Sequence, residues 1–391
     1  MLSTNAEKDI IRTTLKYHDE GSTHLEPAVM QNPVAHYADP QRLELEQNIL
    51  FRQFPIIVGH VGQVAKPGQF FTHDETGTPI LVTRTRGQEI KAYVNVCRHR
   101  GARIVTESSG STSTFSCPYH AWTYDLEGNL RGLRQPFGFD DINKEEFGLI
   151  ELPAFERHGL IWVRPSVSTA PVAIDAWLAP LEEQLQSVDL ASHTVFKAWT
   201  VELNMGWRIA LEGFQESYHF CSAHKHTACS GYLDNLSVFV DHYPHVRHAV
   251  PTARVPDLAA QPEDEWDYRR RYMDQNYVFP CNFLQVMTDH VYVHSVIPTG
   301  PGTCVFKCMM LVPQDQMDEK AQRHWQANYD VVRTVFGEDF AIGEGIQQGL
   351  ATGVNQHFTI GKYETGIQLA ERAIDDALQG RLVCPEVLSV G

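Results

Sequence analysis

The chain is poor in the features a membrane or secreted protein would carry. No uninterrupted apolar run approaches the ~20 residues that cross a bilayer. The opening segment, MLSTNAEKDIIRTTLKYHDEG, has no basic start followed by an apolar stretch, so no signal peptide is expected. Basic residues are in deficit: 32 Lys and Arg face 48 Asp and Glu, for a formal charge of −16. That argues against nucleic acid or an anionic membrane as partner. No internal repeat is visible. Of the eight cysteines, only Cys97 and Cys117 have ligand-like neighbours. Cys304 and Cys308 lie in VFKCMMLV, which reads as a buried strand, and Cys221 reads as structural. These absences predict a cytoplasmic protein with reduced thiols and no disulfide. The 391 residues are 43% hydrophobic, which suits two domains with sizeable cores.

The pattern along the chain changes twice. Asp39 and Pro40 predict a helix start, capped by Asp39 and running through Leu43, Leu45 and Ile49. From Phe54, the runs FPIIVGHV, QFFTHD, PILVTRTR and IKAYVNV predict short antiparallel strands, and Glu127-Gly128-Asn129 predicts a turn between two more. That block closes near HGLIWVRPS. After about residue 170 the reading is α+β. WRIALEGFQESYHFCSAHKHTA reads as one helix that degrades near its end. Strands follow at NLSVFVDHY, NFLQVM, HVYVHSVIP and TCVFKCMMLVP. Two helical stripes come last, Trp325/Tyr329/Val332/Phe336 and Ile367/Ala370/Ile374/Leu378. The Pro- and acid-rich stretch from Pro251 to Glu265 reads as a mobile loop.

Two half-patterns carry the first chemistry: Cys97-Arg98-His99-Arg100-Gly101 and Cys117-Pro118-Tyr119-His120. Two thiolates and two imidazoles are the ligand set of a Rieske [2Fe–2S] centre, one iron on each ligand type. Zinc takes the same donors, but its modules usually pair like with like across spacers of two or more residues. Here each pair is mixed and the first spacer is a single residue, which favours the [2Fe–2S] cluster.

A second constellation is Glu212-Gly213-Phe214-Gln215-Glu216-Ser217-Tyr218-His219-Phe220-Cys221-Ser222-Ala223-His224. Glu216 and His219 share a face if the segment is helical. His219 and His224 would diverge on a straight helix by about 140°. For both to bind one metal, the helix must end or bulge between them. Asp339 is the candidate third ligand, with Glu338 and Glu344 as alternatives. Two His and one carboxylate form the facial triad of non-haem Fe(II) oxygenases. Phe214, Phe220, Tyr277 and Phe283 are candidates for pocket walls or plain core, and His226 for a surface position.

With these motifs in view, the chain resembles the large (alpha) subunit of the Rieske non-haem iron ring-hydroxylating oxygenases over nearly its whole length. C-R-H-R-G…C-P-Y-H-A-W-T-Y, E-x-x-x-E-x-Y-H-x-x-x-x-H and E-D-x-x-x-x-E-x-x-Q carry the resemblance. It implies a small antiparallel β Rieske [2Fe–2S] domain, 41–166, inserted in a larger α+β catalytic domain with an antiparallel sheet and flanking helices. That larger domain would take 1–40 and 167–391. It implies a mononuclear Fe(II), electrons from NAD(P)H through a reductase with or without a ferredoxin, and O2 with a small organic, aromatic substrate. It further implies a homotrimer (α3) in which Glu216 bridges the cluster of one subunit to the iron of the next. The chain is shorter than large subunits that pair with a β subunit, which fits a stand-alone α3 type. Two departures stand out: Glu216 where many aromatic dioxygenases place Asp, and Gly213 where relatives often place Asn. Glu at that position occurs in members acting on quaternary amines, so a monooxygenase acting on a quaternary amine or another N- or O-alkyl substrate is the alternative. An electron carrier without oxygenase activity is the reading from another class, and the Glu216–His219–His224 cluster argues against it. A zinc-stabilised binding protein is a third. Arg98, Arg100 and Arg103 read either as a docking patch for the reductant or as solvated charge.

Overall fold

The computed structural model describes residues 3–167 and 171–387. The chain divides into two compact units, Met1–Glu46 with Thr194–Leu382, and Gln47–His193 with Val383–Gly391. The boundary expected at 166/167 therefore falls at 193/194. The cause is packing of the segment that follows Pro171. Trp177 packs on Phe54 with ring centroids 5.4 Å apart. His60 Nε2 meets the Leu190 carbonyl at 2.9 Å. Ala173 N–H donates to Pro385 O at 2.8 Å and Val387 N–H to Pro171 O at 3.0 Å, which draws residues 383–387 into the smaller unit. Residues 41–46 go the other way. There Glu46 accepts from Trp207 Nε1 at 2.8 Å and Arg208 Nη1 at 2.7 Å.

The smaller unit is built of antiparallel sheets. In the five-stranded one, Glu151–Leu152, Ile90–Val94, Ile80–Arg84, Gln69–His73 and Ser109–Ser111 lie side by side in that order. The Ile80-Leu81-Val82 run is wholly buried because the sheet has core on both faces. Phe115–Ser116, Thr123–Tyr124 and Leu130–Gly132 form a three-stranded sheet around the turn expected at Gly128. Gly128 has φ +84° and a Cβ there would come within 2.6 Å of the Tyr93 ring, so only glycine fits.

The larger unit holds a seven-stranded sheet. Its order is His193–Leu203, Thr303–Pro313, Val291–Gly300, Asn282–Val286, Tyr272–Val278, His245–Pro251 and Val238–His242. Pairing from Val238–His242 through Thr303–Pro313 is antiparallel throughout. Tyr272–Val278 escapes sequence patterning because all seven of its residues are buried, so its polar and apolar positions do not alternate. The helix Glu319–Leu350 starts where Asp318 accepts from Ala321 N–H at 2.8 Å, and buries Trp325, Tyr329, Val332 and Phe336 as the stripe predicts. In Thr365–Leu378, Ile367, Ala370 and Ile374 are buried, but Ala377 rather than Leu378 completes the stripe. Asp39 caps Pro40–Gln53 through Gln41 N–H at 2.9 Å. The stretch 251–265 is not a loose loop: Val255 and Leu258 are buried in a core cluster with Trp266. No helix among the described residues is long and apolar enough to cross a membrane.

Candidate metal centres

The two cluster loops have the same backbone. In the first, Gly101 N–H donates to Cys97 O at 3.0 Å and Cys97 N–H to Ala102 O at 2.8 Å. In the second, Ala121 N–H donates to Cys117 O at 2.9 Å and Cys117 N–H to Trp122 O at 2.8 Å. Each turn needs a left-handed residue, filled by Gly101 and, at φ +57°, by Ala121. Equal loops explain the unequal spacers: the histidine takes the third position in one and the fourth in the other. Both thiols are buried, and the two imidazoles are half-exposed with their Nδ1 atoms 3.1 Å apart. His99 stacks on Trp122 at 4.8 Å. Tyr124 Oη lies 3.5 Å from Cys97 Sγ and accepts from Arg98 N–H at 3.1 Å. Among the described residues, the one group of three or more His, Cys, Asp or Glu donors lying within 4.8 Å of one another is His219, His224 and Asp339. The four cluster-loop donors do not close on a point, as a tetrahedral zinc ion would require. Sulfurs and imidazoles on two different irons meet that geometry.

The helix expected over 207–228 breaks. It runs from Trp207 to Glu212 and resumes for one turn at Phe220–Ala223, with His219 and His224 flanking that turn. The break removes the divergence a straight helix would impose. His219 Nε2 and His224 Nε2 lie 3.6 and 3.0 Å from the same Asp339 oxygen, Oδ1, supplied by the long helix. The opposite nitrogens are held by carboxylates: His219 Nδ1 by Glu216 Oε1 at 2.5 Å, His224 Nδ1 by Glu338 Oε2 at 2.8 Å. Glu338 also accepts from Thr227 Oγ1 at 2.7 Å. Burial opposes charge on both rings, yet the carboxylates prevail and raise both pKa values. Each Nδ1–H is thus anchored, and both Nε2 atoms face Asp339, where a metal would take the place of their protons. Glu344 is turned away, accepting from Asn204 N–H at 3.1 Å. His226 is exposed.

The absence of disulfides expected from composition does not hold. Cys221 and Cys229 are bonded, with Cα atoms 4.7 Å apart, because the broken helix folds 229 back beside 221.

A cavity of about 250 Å³ opens on the triad. Phe214 and Phe220 line it, whereas Tyr277 and Phe283 belong to the buried core. A Cβ on Gly213 would meet nothing nearer than 3.9 Å, so the missing side chain leaves room beside the metal position. The polar lining residues Gln275, Gln285, His290 and Asn328 escaped sequence reasoning. Strand register and the long helix bring them together across the fold, and no local motif marks them.

The description "Ring hydroxylating alpha subunit (catalytic domain)" matches residues 190–380, and "Rieske [2Fe-2S] domain" matches 54–139. The chain is 26% identical to a glycine betaine monooxygenase oxygenase subunit of Chromohalobacter salexigens, over 78% of each chain. It is 28% identical to a carnitine monooxygenase oxygenase subunit of Acinetobacter baumannii, over 81% of this chain and 84% of that one. A biphenyl 2,3-dioxygenase alpha subunit of Rhodococcus jostii is 27% identical over 56% of this chain and 45% of its own. The fold matches a quaternary ammonium Rieske monooxygenase solved with L-carnitine, at TM-score 0.76 and 20% identity over 95% of this chain and 99% of that one. It also matches naphthalene 1,2-dioxygenase of a Rhodococcus species, at TM-score 0.75 and 17% identity over 96% and 98%. The chain therefore belongs to the Rieske ring-hydroxylating oxygenases as an alpha subunit, a terminal oxygenase carrying a [2Fe–2S] cluster and a mononuclear iron.

Proposed function

We propose that Cys97, His99, Cys117 and His120 hold the [2Fe–2S] cluster, that His219, His224 and Asp339 hold the Fe(II), and that Glu216 couples the two. The carrying observation is the convergence of two imidazole Nε2 atoms on Asp339 Oδ1 at a cavity wall. When bound, the cluster passes electrons to the iron, which activates O2. The chain's own residues position and exclude. Glu216 and Glu338 fix the ring tautomers by taking Nδ1–H. Phe214, Phe220 and Phe336 present apolar walls to the substrate.

The substrate we assign is a small uncharged aromatic. A cavity of roughly 150 Å³ holds benzene, so about 250 Å³ admits a substituted ring or a fused pair. Among the described residues no Lys or Arg lines it, so away from the Fe(II) a substrate carboxylate finds no counter-ion. Oxidation of a quaternary amine is the second reading, favoured by Glu216 and by the names of the glycine betaine and carnitine relatives.

We further infer a homotrimer (α3) in the cytoplasm, fed through a reductase with or without a ferredoxin. A neighbour of the same fold described with inter-subunit electron transfer supports that assembly. Of the three arginines near the cluster, Arg98 donates to Gly148 O at 2.8 Å and Arg103 pairs with Asp74. Arg100, exposed beside Tyr119, is the one we assign to reductant docking.

The test is NADH-coupled O2 consumption with a generic reductase over a substrate panel, followed by product mass. A ring-hydroxylated product is expected. Substrate-dependent O2 uptake that survives removal of the non-cluster iron would overturn the proposal.

A further inference from the structure

Gln275 and Gln285 sit directly opposite each other on adjacent antiparallel strands, so their side chains share one face of the sheet. That face is a wall of the cavity. Gln275 is 5% exposed and Gln285 7%. Gln275 Nε2 lies 3.0 Å from His294 Nε2, and Gln285 Nε2 donates to Met273 Sδ at 3.0 Å. Their amide nitrogens are engaged, while both Oε1 atoms are buried without a protein partner. His290, 2% exposed, stands on the same cavity. Its Nδ1 is 2.7 Å from Asp289 Oδ1, a carboxylate oxygen that can only accept. In the neutral ring the proton therefore sits on Nδ1, which leaves Nε2, also without a protein partner, as an acceptor.

We propose that Gln275, Gln285 and His290 form the polar end of the substrate cavity and select a neutral ring compound that carries an N–H or O–H donor. This rests on the oxygenase reading above and deepens it. Three acceptors on an apolar cavity reward a donor and penalise its absence, because a site built to hydrogen-bond leaves its own buried groups unpaired when the donor is missing. At that end a carboxylate would face acceptors and no Lys or Arg. A quaternary ammonium has no N–H to give. The walls formed by Phe214, Phe220 and Phe336 supply the ring contact.

The experiment uses the holoenzyme under anaerobic conditions. Equilibrium dialysis compares indole with indene, which replaces the N–H by CH2 in the same frame. Benzoate and glycine betaine complete the set. Indole is expected to bind about ten-fold more tightly than indene, and benzoate and glycine betaine more weakly than either. Gln275→Leu and Gln285→Leu should each shrink the indole-to-indene ratio, chiefly by weakening indole, with iron content unchanged. If neither variant folds, the ratio in the unaltered protein still decides. Equal affinities for indole and indene, tightest binding of benzoate or glycine betaine, or a ratio insensitive to both substitutions in folded protein would overturn the proposal. O2 uptake with indole and indene separates the two layers. Uptake with equal affinities sinks the polar end and leaves the oxygenase. Selective binding of indole without uptake from either ring does the reverse.

Discussion

Glu216 Oε1 lies 2.5 Å from His219 Nδ1, and Asp339 Oδ1 lies 3.6 Å from Nε2 of the same ring. One imidazole is thus held on both sides by carboxylates doing different work. Asp339 lies where the two Nε2 atoms converge, whereas Glu216 holds the opposite nitrogen of the ring. The second Glu216 oxygen accepts from the Tyr218 and His219 backbone N–H groups, which locks the carboxylate in place.

Glu216→Gln is expected to keep both metals, since the amide oxygen still accepts from Nδ1–H. Electron transfer between the centres should slow by roughly 10–100-fold, the usual scale for a lost outer carboxylate. Stopped-flow bleaching and recovery of the cluster's visible absorption, with substrate and O2, reads this directly. A variant that loses its iron, or transfers at the full rate, contradicts the role assigned here.

Asp339→Ala and Glu338→Ala should separate ligand from support. The first is expected to lose the mononuclear iron and keep a red-brown cluster. The second removes the acceptor on His224 Nδ1 and Thr227 Oγ1 but no proposed ligand, so iron affinity should fall about 10–100-fold without vanishing. Iron per chain, titrated against a chelator, distinguishes the two. If Glu338→Ala is the variant that empties the site, the ligand assignment is wrong.

Tyr124→Phe should lower the reduction potential of the cluster. Tyr124 Oη already accepts from Arg98 N–H, so its own proton is left for Cys97 Sγ. Hydrogen bonds to cluster sulfurs raise the potential by stabilising the reduced form. Burial pushes the Tyr124 pKa up, so the phenol stays protonated across the working range and the effect should not depend on its titration. Redox titration monitored by EPR measures it, and an unchanged potential counts against the contact.

Cys221→Ser combined with Cys229→Ser should cost about 2–4 kcal/mol of stability, the common range for removing a bridge. The bridge ties His224 and the cavity segment 227–232 to one turn. Alkylation of the denatured, metal-free, unreduced protein should label six thiols if the bridge persists in the cell. All eight would label if a reducing compartment keeps the pair open.

The chemistry-bearing motifs were legible because their donors are local. Cys97 and His99, Cys117 and His120, and His219 and His224 each lie a few residues apart, so spacing marks them as candidate ligand pairs. Strands such as Ile80–Arg84 and the stripe on Glu319–Leu350 were legible for the same reason: period and burial go together when one element faces one core. Tertiary structure decided the rest. It broke the 207–228 helix, paired Cys221 with Cys229, and assigned 171–193 to the cluster unit. It set Glu338 against His224 Nδ1 and Asp339 against both Nε2 atoms. It also set Gln275 beside Gln285 on a cavity wall. Each of these depends on partners far apart in the chain, and long-range packing leaves no period or spacing in the sequence to read.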